Sequence, residues 1–242
     1  MVPKQERAGC TSLAISYTPN PPVVMFASKS SQPPPSVDLM ELVSAAVSLV
    51  ARSICTGCGA GGATLCPRCE RNLLPAPPLP SVDGSSSAVA AWQYAGAART
   101  LVLDLKLTGR RAAAAPMIVA LARAILRAGT SAEVVTWVPG RRRDTRARGF
   151  NHAELLGRGV AETLGLDART LLRRRGYRPD QAALSGADRR RNIEGAFGAR
   201  PSSGAILLID DLVTTGATAR ACTMSLRRAG AERVEVAAVC CV

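Results

Sequence analysis

The chain has 242 residues, 47% of them apolar, and carries 31 Lys and Arg against 18 Asp and Glu for a net charge of +13. That is enough apolar material for one domain of moderate size plus an appendage, and the basic surplus suits polyphosphate or nucleic acid. The 3% aromatic content leaves few platforms for stacked bases, no apolar run reaches the length of a membrane span, and four clustered cysteines among eight are not a secreted disulfide framework. Leu42–Val50 lies between acids (Asp38, Glu41) and Arg52 and lacks the basic flank of a signal peptide, so the expected location is the cytoplasm.

Residues 1–40 are rich in Pro, Ser and Thr (PNPPVV, SKSSQPPPS) and read as a disordered tail or an upstream misread start, with Met40 as a credible first residue. Asp38–Ser53 reads as a short amphipathic helix leading into the cysteines. Cys55-Thr-Gly-Cys58 and Cys66-Pro-Arg-Cys69 are two CxxC pairs seven residues apart, with Gly59 and Pro67 as turn residues. Four thiolates close a tetrahedral shell and leave no open position, which makes a structural metal the expectation, zinc favoured and iron possible. A redox CxxC is the competing reading, but it needs a single pair at a helix start. A segment of this size cannot bury its own core, so metal would supply its folding energy. Residues 41–75 therefore read as helix plus ribbon. The Pro- and Ser-rich stretch LLPAPPLPSVDGSSS marks a linker whose boundary is 76–87, and 88–242 reads as the main domain.

Within that domain Ala88–Tyr94 reads as a strand. Gly96–Leu107 and Arg111–Ala128 read as helices broken at Thr108-Gly109. Lys106 and Arg110, near the helix ends, reach an anion or serve as surface partners of the helix dipole. Glu133–Val138 (EVVTWV) is a buried strand, followed by an Arg-rich loop from Pro139 to Asn151 and a helix to Leu164. Between Pro139 and Arg200 there are 15 Arg against 7 acids, so the positive excess gathers here. The guanidiniums of Arg141, Arg142, Arg143 and Arg146 suit phosphate oxygens at the pyrophosphate end of a ligand. His152, the lone histidine, invites a general-base reading, but at the start of an amphipathic helix it reads as a structural or capping contact. Arg173–Phe197 is a long aperiodic stretch, read as a flap with Gln181, Leu184, Ser185, Arg189 and Asn192 facing inward.

AILLIDDLVTTGAT at 205–218 organises the rest. Ala205–Ile209 reads as a strand buried on both faces, with Asp210 and Asp211 at its carboxyl end, a loop over Leu212–Thr218, and a helix to Arg228. Arg233–Val242 is the closing strand, with Cys240 and Cys241 packed as small residues. The loop opens a helix, so free N–H groups and the positive dipole end meet an anion. Gly216 allows close approach, and the hydroxyls of Thr214, Thr215 and Thr218 can hold three oxygens of one phosphate. Adjacent carboxylates would repel that phosphate unless they bind sugar hydroxyls or a divalent cation, so the set describes a site for a ribose 5′-phosphate. No Gly-Lys-[Ser/Thr] occurs here, which excludes a Walker A loop.

The run resembles the phosphoribosyl-pyrophosphate loop of type I phosphoribosyltransferases. More of the chain is similar to the ComF (GntX-like) family, which joins a four-cysteine zinc ribbon to a phosphoribosyltransferase-like domain. The agreeing runs are CxxC…CxxC at 55–69, YAGAARTLVLDLKLTGRR at 94–111, RARGFNHAELL at 146–156, QAALSGADRRRNIEGAF at 181–197 and LLIDDLVTTGAT at 207–218. Gly140 stands where the family often has Val, and His152 where Gln is common. The resemblance implies an α/β type I phosphoribosyltransferase fold, a parallel sheet flanked by helices, behind an N-terminal zinc ribbon. It also implies a role in DNA uptake, with single-stranded DNA and DNA-uptake proteins as partners. The expected ligand is phosphoribosyl pyrophosphate or a related ribose phosphate. Val213, Thr214, Thr215, Gly216, Ala217 and Thr218 would hold the 5′-phosphate, Asp210 and Asp211 the ribose hydroxyls, and Mg²⁺ would bridge sugar and pyrophosphate. Two readings stand side by side: an enzyme that transfers phosphoribosyl to an acceptor, and a binding protein that senses the ligand or handles single-stranded DNA without turnover.

Overall fold

The computed structural model describes residues 53–79, 82–175 and 195–242. All of them belong to one compact unit. The helix expected over 38–53, except its last residue, lies outside the described residues. So do Gln181, Leu184, Ser185, Arg189 and Asn192.

In chain order the strands are β1 (Ser87–Gln93), β2 (Val134–Trp137), β3 (Asp167–Ala168), β4 (Leu172–Arg174), β5 (Phe197–Ala199), β6 (Ala205–Val213) and β7 (Arg233–Cys241). The helices are α1 (Pro67–Arg71), α2 (Gly96–Leu103), α3 (Ala114–Ala128), α4 (Arg142–Arg148), α5 (His152–Leu164) and α6 (Ala217–Arg228). A strand apolar on both faces needs cover on both, and successive side chains point to opposite sides. Leu207 and Ile209 of β6 accordingly pack with Leu101, Leu121, Ile125, Leu156 and Val160 from α2, α3 and α5. Ile206 and Leu208 pack with Phe197, Cys222 and Leu226 from β5 and α6. Each large side chain buried this way is worth about 1.5–3 kcal/mol.

The main sheet has five strands in the order β1-β7-β6-β2-β3, every neighbouring pair parallel. β4 and β5 form a separate antiparallel pair. The chain leaves β2 toward β3 but leaves β6 toward β7, so the connections diverge between the adjacent strands β2 and β6. Such a divergence opens a crevice at the carboxyl ends of the strands, where open α/β sheets bind ligands.

Three stretches differ in detail from the sequence reading. β6 does not stop at the acids: Leu212 and Val213 continue the ladder opposite Cys240 and Cys241 of β7, which leaves Thr214–Gly216 as the whole loop before α6. The Arg-rich loop winds into α4, with Asp144 in its first turn, Arg146 and Arg148 in its last, and Gly149 at φ 78° ending it. That charge order complements the helix dipole, and a left-handed residue is a common stop. The proline-rich stretch lies along β1, where Ala76 N–H donates to Ala91 O at 3.2 Å and Gln93 N–H to Leu74 O at 2.9 Å. Among the described residues no helix is long and apolar enough to cross a membrane.

Candidate functional site

Because β6 runs through the acids, Asp210 and Asp211 fall on opposite faces of the sheet. Both are nearly inaccessible, at 8% and 4% exposure. Asp210 stands on the α6 side and accepts the Asp211 main-chain N–H at 2.9 Å on Oδ1. Burial, and then the charge of Asp211, push its carboxyl well above the usual carboxylate range. Burial also pushes Asp211 up, but the hydrogen bond from His152 and the charge of Lys106 outweigh it and hold that carboxyl at about 2. The two neighbouring carboxyls are thus shifted in opposite directions.

The Lys106 ammonium lies 2.7 Å from Asp211 Oδ2, and His152 Nε2 lies 3.1 Å from the same oxygen. Lys106 arrives from a π-helical turn, Asp104–Thr108, that prolongs α2 and ends at Gly109. Such turns widen a helix by one residue and often mark functional sites. His152 is the first residue of α5; the cap is its neighbour Asn151, whose Oδ1 accepts the Ala153 N–H at 3.2 Å. Arg148, at the end of α4, brings Nη2 within 3.4 Å of His152 Nδ1 and donates through Nη1 to the Lys106 carbonyl.

The phosphate-loop residues open α6. Gly216 sits at its N-cap position with φ 71°, and no side chain caps the helix. Thr214 and Thr215 are exposed, while Gly216, Ala217 and Thr218 are half-buried; Val213 is the last residue of β6 and is buried. The Arg residues lie on the facing segment that follows β2: Arg141 precedes α4, and Arg142, Arg143 and Arg146 lie along it, all exposed. The Arg-bearing segment thus follows β2 and the uncapped start of α6 follows β6, the two strands at which the connections diverge.

Apart from this crevice, the described residues hold one group of three or more potential metal ligands. The Sγ atoms of Cys55, Cys58, Cys66 and Cys69 lie within 4.8 Å of one another, with Cys58 and Cys66 at 3.7 Å. Tetrahedral zinc with bonds of about 2.3 Å would space its sulfurs about 3.8 Å apart, so the four cysteines are arranged to hold a metal ion. The Cys66 N–H, 3.3 Å from Cys55 Sγ, is the main reason that thiol is lowered to about 6. The cluster is tied to the crevice through Arg110, which donates to the Ile54 carbonyl at 2.6 Å and pairs with Asp104, itself bonded to the Thr56 hydroxyl at 3.2 Å.

No family model matches the chain. It is 32% identical over 197 residues to the DNA utilization protein YhgH of Salmonella typhimurium, spanning 78% of this chain and 84% of that one. Over 95 residues it is 32% identical to Competence protein F of Haemophilus influenzae, spanning 37% of this chain and 42% of that one. The chain belongs to the ComF (GntX-like) family. Among solved structures, the ComF chain is similar to a glutamine phosphoribosylpyrophosphate amidotransferase from B. subtilis, with a TM-score of 0.41, 21% identity, and coverage of 57% of this chain and 30% of that one. The fold of the ComF chain is a five-stranded parallel sheet flanked by helices, with the four-cysteine cluster N-terminal to it.

Two features of the ComF site escape a reading of the sequence. Arg148 was not singled out, although it joins α4 to both His152 and the Lys106 backbone. Lys106 and His152 were noticed separately, but nothing in their spacing says that they meet on Asp211. The sequence signal available was only that each is a lone cation or imidazole beside a glycine or helix end.

Proposed function

We propose that this ComF protein binds phosphoribosyl pyrophosphate in the crevice between β2 and β6, transfers its phosphoribosyl group to an acceptor, and serves DNA uptake from the cytoplasm. The observation that supports this reading is the divergence of chain connections between β2 and β6, the strands followed by the Arg-bearing α4 and by the acids and the uncapped start of α6. The names of the two relatives support the DNA-related role, and the free cysteines among the described residues suit a reducing compartment.

The 5′-phosphate would lie on the N–H groups and hydroxyls of residues 213–218. Asp210 and Asp211 would hold ribose hydroxyls: a protonated Asp210 can donate as well as accept, and an anionic Asp211 accepts strongly. Arg141, Arg142, Arg143 and Arg146 would take up the charge that collects on the departing pyrophosphate. The acid pair alone does not suit a bare divalent cation, because the Lys106 ammonium already sits 2.7 Å from Asp211. Magnesium therefore enters on the ligand's own pyrophosphate, where it supplies charge neutralisation. For the cysteine cluster, four thiolates favour zinc, in a closed and structural role.

The test is calorimetric binding of magnesium phosphoribosyl pyrophosphate, together with pyrophosphate release over a panel of bases and amines. Wild type is compared with the double variant Asp210→Ala, Asp211→Ala. Binding and turnover lost together in the variant support an enzyme. Acid-dependent binding without turnover indicates a sensor. Absence of binding in wild type refutes the proposal. A single charged contact to the transition state is worth about 2–4 kcal/mol. The exposed guanidiniums of α4 favour one further reading: salt-steep binding of single-stranded DNA that survives the double variant would move the function to that helix.

A further inference from the structure

His152 opens α5 with both ring nitrogens engaged. Nδ1 faces the Arg148 guanidinium at 3.4 Å, and Nε2 faces Asp211 Oδ2 at 3.1 Å. A guanidinium has donors and no acceptor, so the nitrogen turned toward it must offer a lone pair. In the neutral ring the proton then sits on Nε2, the nitrogen 3.1 Å from the carboxylate. The contacts close on themselves. Arg148 also donates to the carbonyl of Lys106, and the Lys106 ammonium returns to the same Asp211 oxygen at 2.7 Å. Four residues from α4, α5, the π turn and β6 thus form a ring in which each fixes the next.

A general base needs a free lone pair, and His152 has none to give. We infer that His152 is a positioning residue, held as the neutral Nε2–H tautomer between Arg148 and Asp211, and that it orients the Asp211 carboxylate instead of moving protons. Lys106 and His152 both crowd Oδ2, at 2.7 and 3.1 Å, which leaves Oδ1 as the less encumbered oxygen for a ligand hydroxyl. This last step rests on the proposal that the acid pair holds a sugar.

The chain has one histidine, so its imidazole gives a single nitrogen signal pair that needs no assignment. Long-range ¹⁵N–¹H spectra of the wild-type protein at neutral pH should show an unprotonated Nδ1 and a protonated Nε2. An Nδ1–H tautomer or a doubly protonated ring overturns the inference. Binding of magnesium phosphoribosyl pyrophosphate is then compared in His152→Gln and His152→Leu, with circular dichroism checking the fold. The Gln amide can still donate to Asp211, so its affinity should stay within about threefold of wild type, while Leu should lose about tenfold or more. Equal losses in both variants, or no loss in a folded His152→Leu, overturn the positioning role. If wild type binds no such ligand, the sugar-phosphate reading fails, and the tautomer spectrum still decides between a clamped and a free imidazole.

Discussion

Asp210 and Asp211 are neighbours in sequence with opposite electrostatics, and their responses to pH should differ in sign. Burial and the Asp211 charge raise the folded pKa of Asp210, so the folded protein keeps a proton that the unfolded chain releases. Its contribution is full below the ordinary carboxylate range and is lost as pH rises through the raised value. Asn has no charge to bury and can still accept the Asp211 N–H. Asp210→Asn should therefore raise the melting temperature at neutral pH and flatten its decline, measured by thermal unfolding between about pH 4 and 8; a lower neutral-pH melting point would contradict this. Asp211 runs the other way. Its stabilisation is present above the ordinary range and is lost as pH falls toward about 2. Lys106→Met, which strands that anion, should cost about 2 kcal/mol in urea unfolding at neutral pH, with the deficit shrinking on acidification. Mg²⁺ without the sugar phosphate should leave the melting temperature unchanged, since the acids carry little net charge to attract it. The acids themselves were legible in the sequence. Their division between two sheet faces was not, because it depends on how far β7 carries the ladder.

Among the elements, the π turn has partners on two sides. Asp104 and Arg110 hold the cysteine segment through Thr56 and Ile54, while Lys106 holds Asp211. Close packing within the cysteine segment is equally specific: a Cβ on Gly57 would come within 2.8 Å of Cys69 Sγ. Gly57→Ala should loosen metal retention, seen as faster loss of metal to a chelator, with little change in the sheet's far-ultraviolet signal. The cysteine spacing and the long amphipathic helices could be read directly, since α3 buries Met117, Leu121, Ala124 and Ile125 at helical intervals. The helix α4 could not. Arg142–Arg148 has no apolar period and none of its residues is buried, so only capping by charge order and Gly149 mark it as a helix.

At the scale of the molecule, the cysteine segment and the sheet should come apart in stability. Each sheet face has its own apolar cluster, whereas residues 53–72 rely on the cysteines, on Leu65 packed against one of those clusters, and on a few polar links. Stripping metal should raise amide exchange over residues 53–72 and leave β6 and β7 protected; exchange that rises equally throughout would show that the two are one cooperative unit. That a parallel α/β sheet would form was visible from strands alternating with helices. Strand order was not, because it is settled by contacts between segments far apart in the chain. That order has a consequence during synthesis. β7, at residues 233–241, is inserted between β1 and β6, so an interior strand of the sheet is synthesised after its other four strands. Until then two apolar strands wait with bare edges, open to mispairing with other chains. A polypeptide broken off before Arg233 keeps the entire ligand crevice in its sequence, yet it is a client for chaperones and proteases and not a smaller working protein.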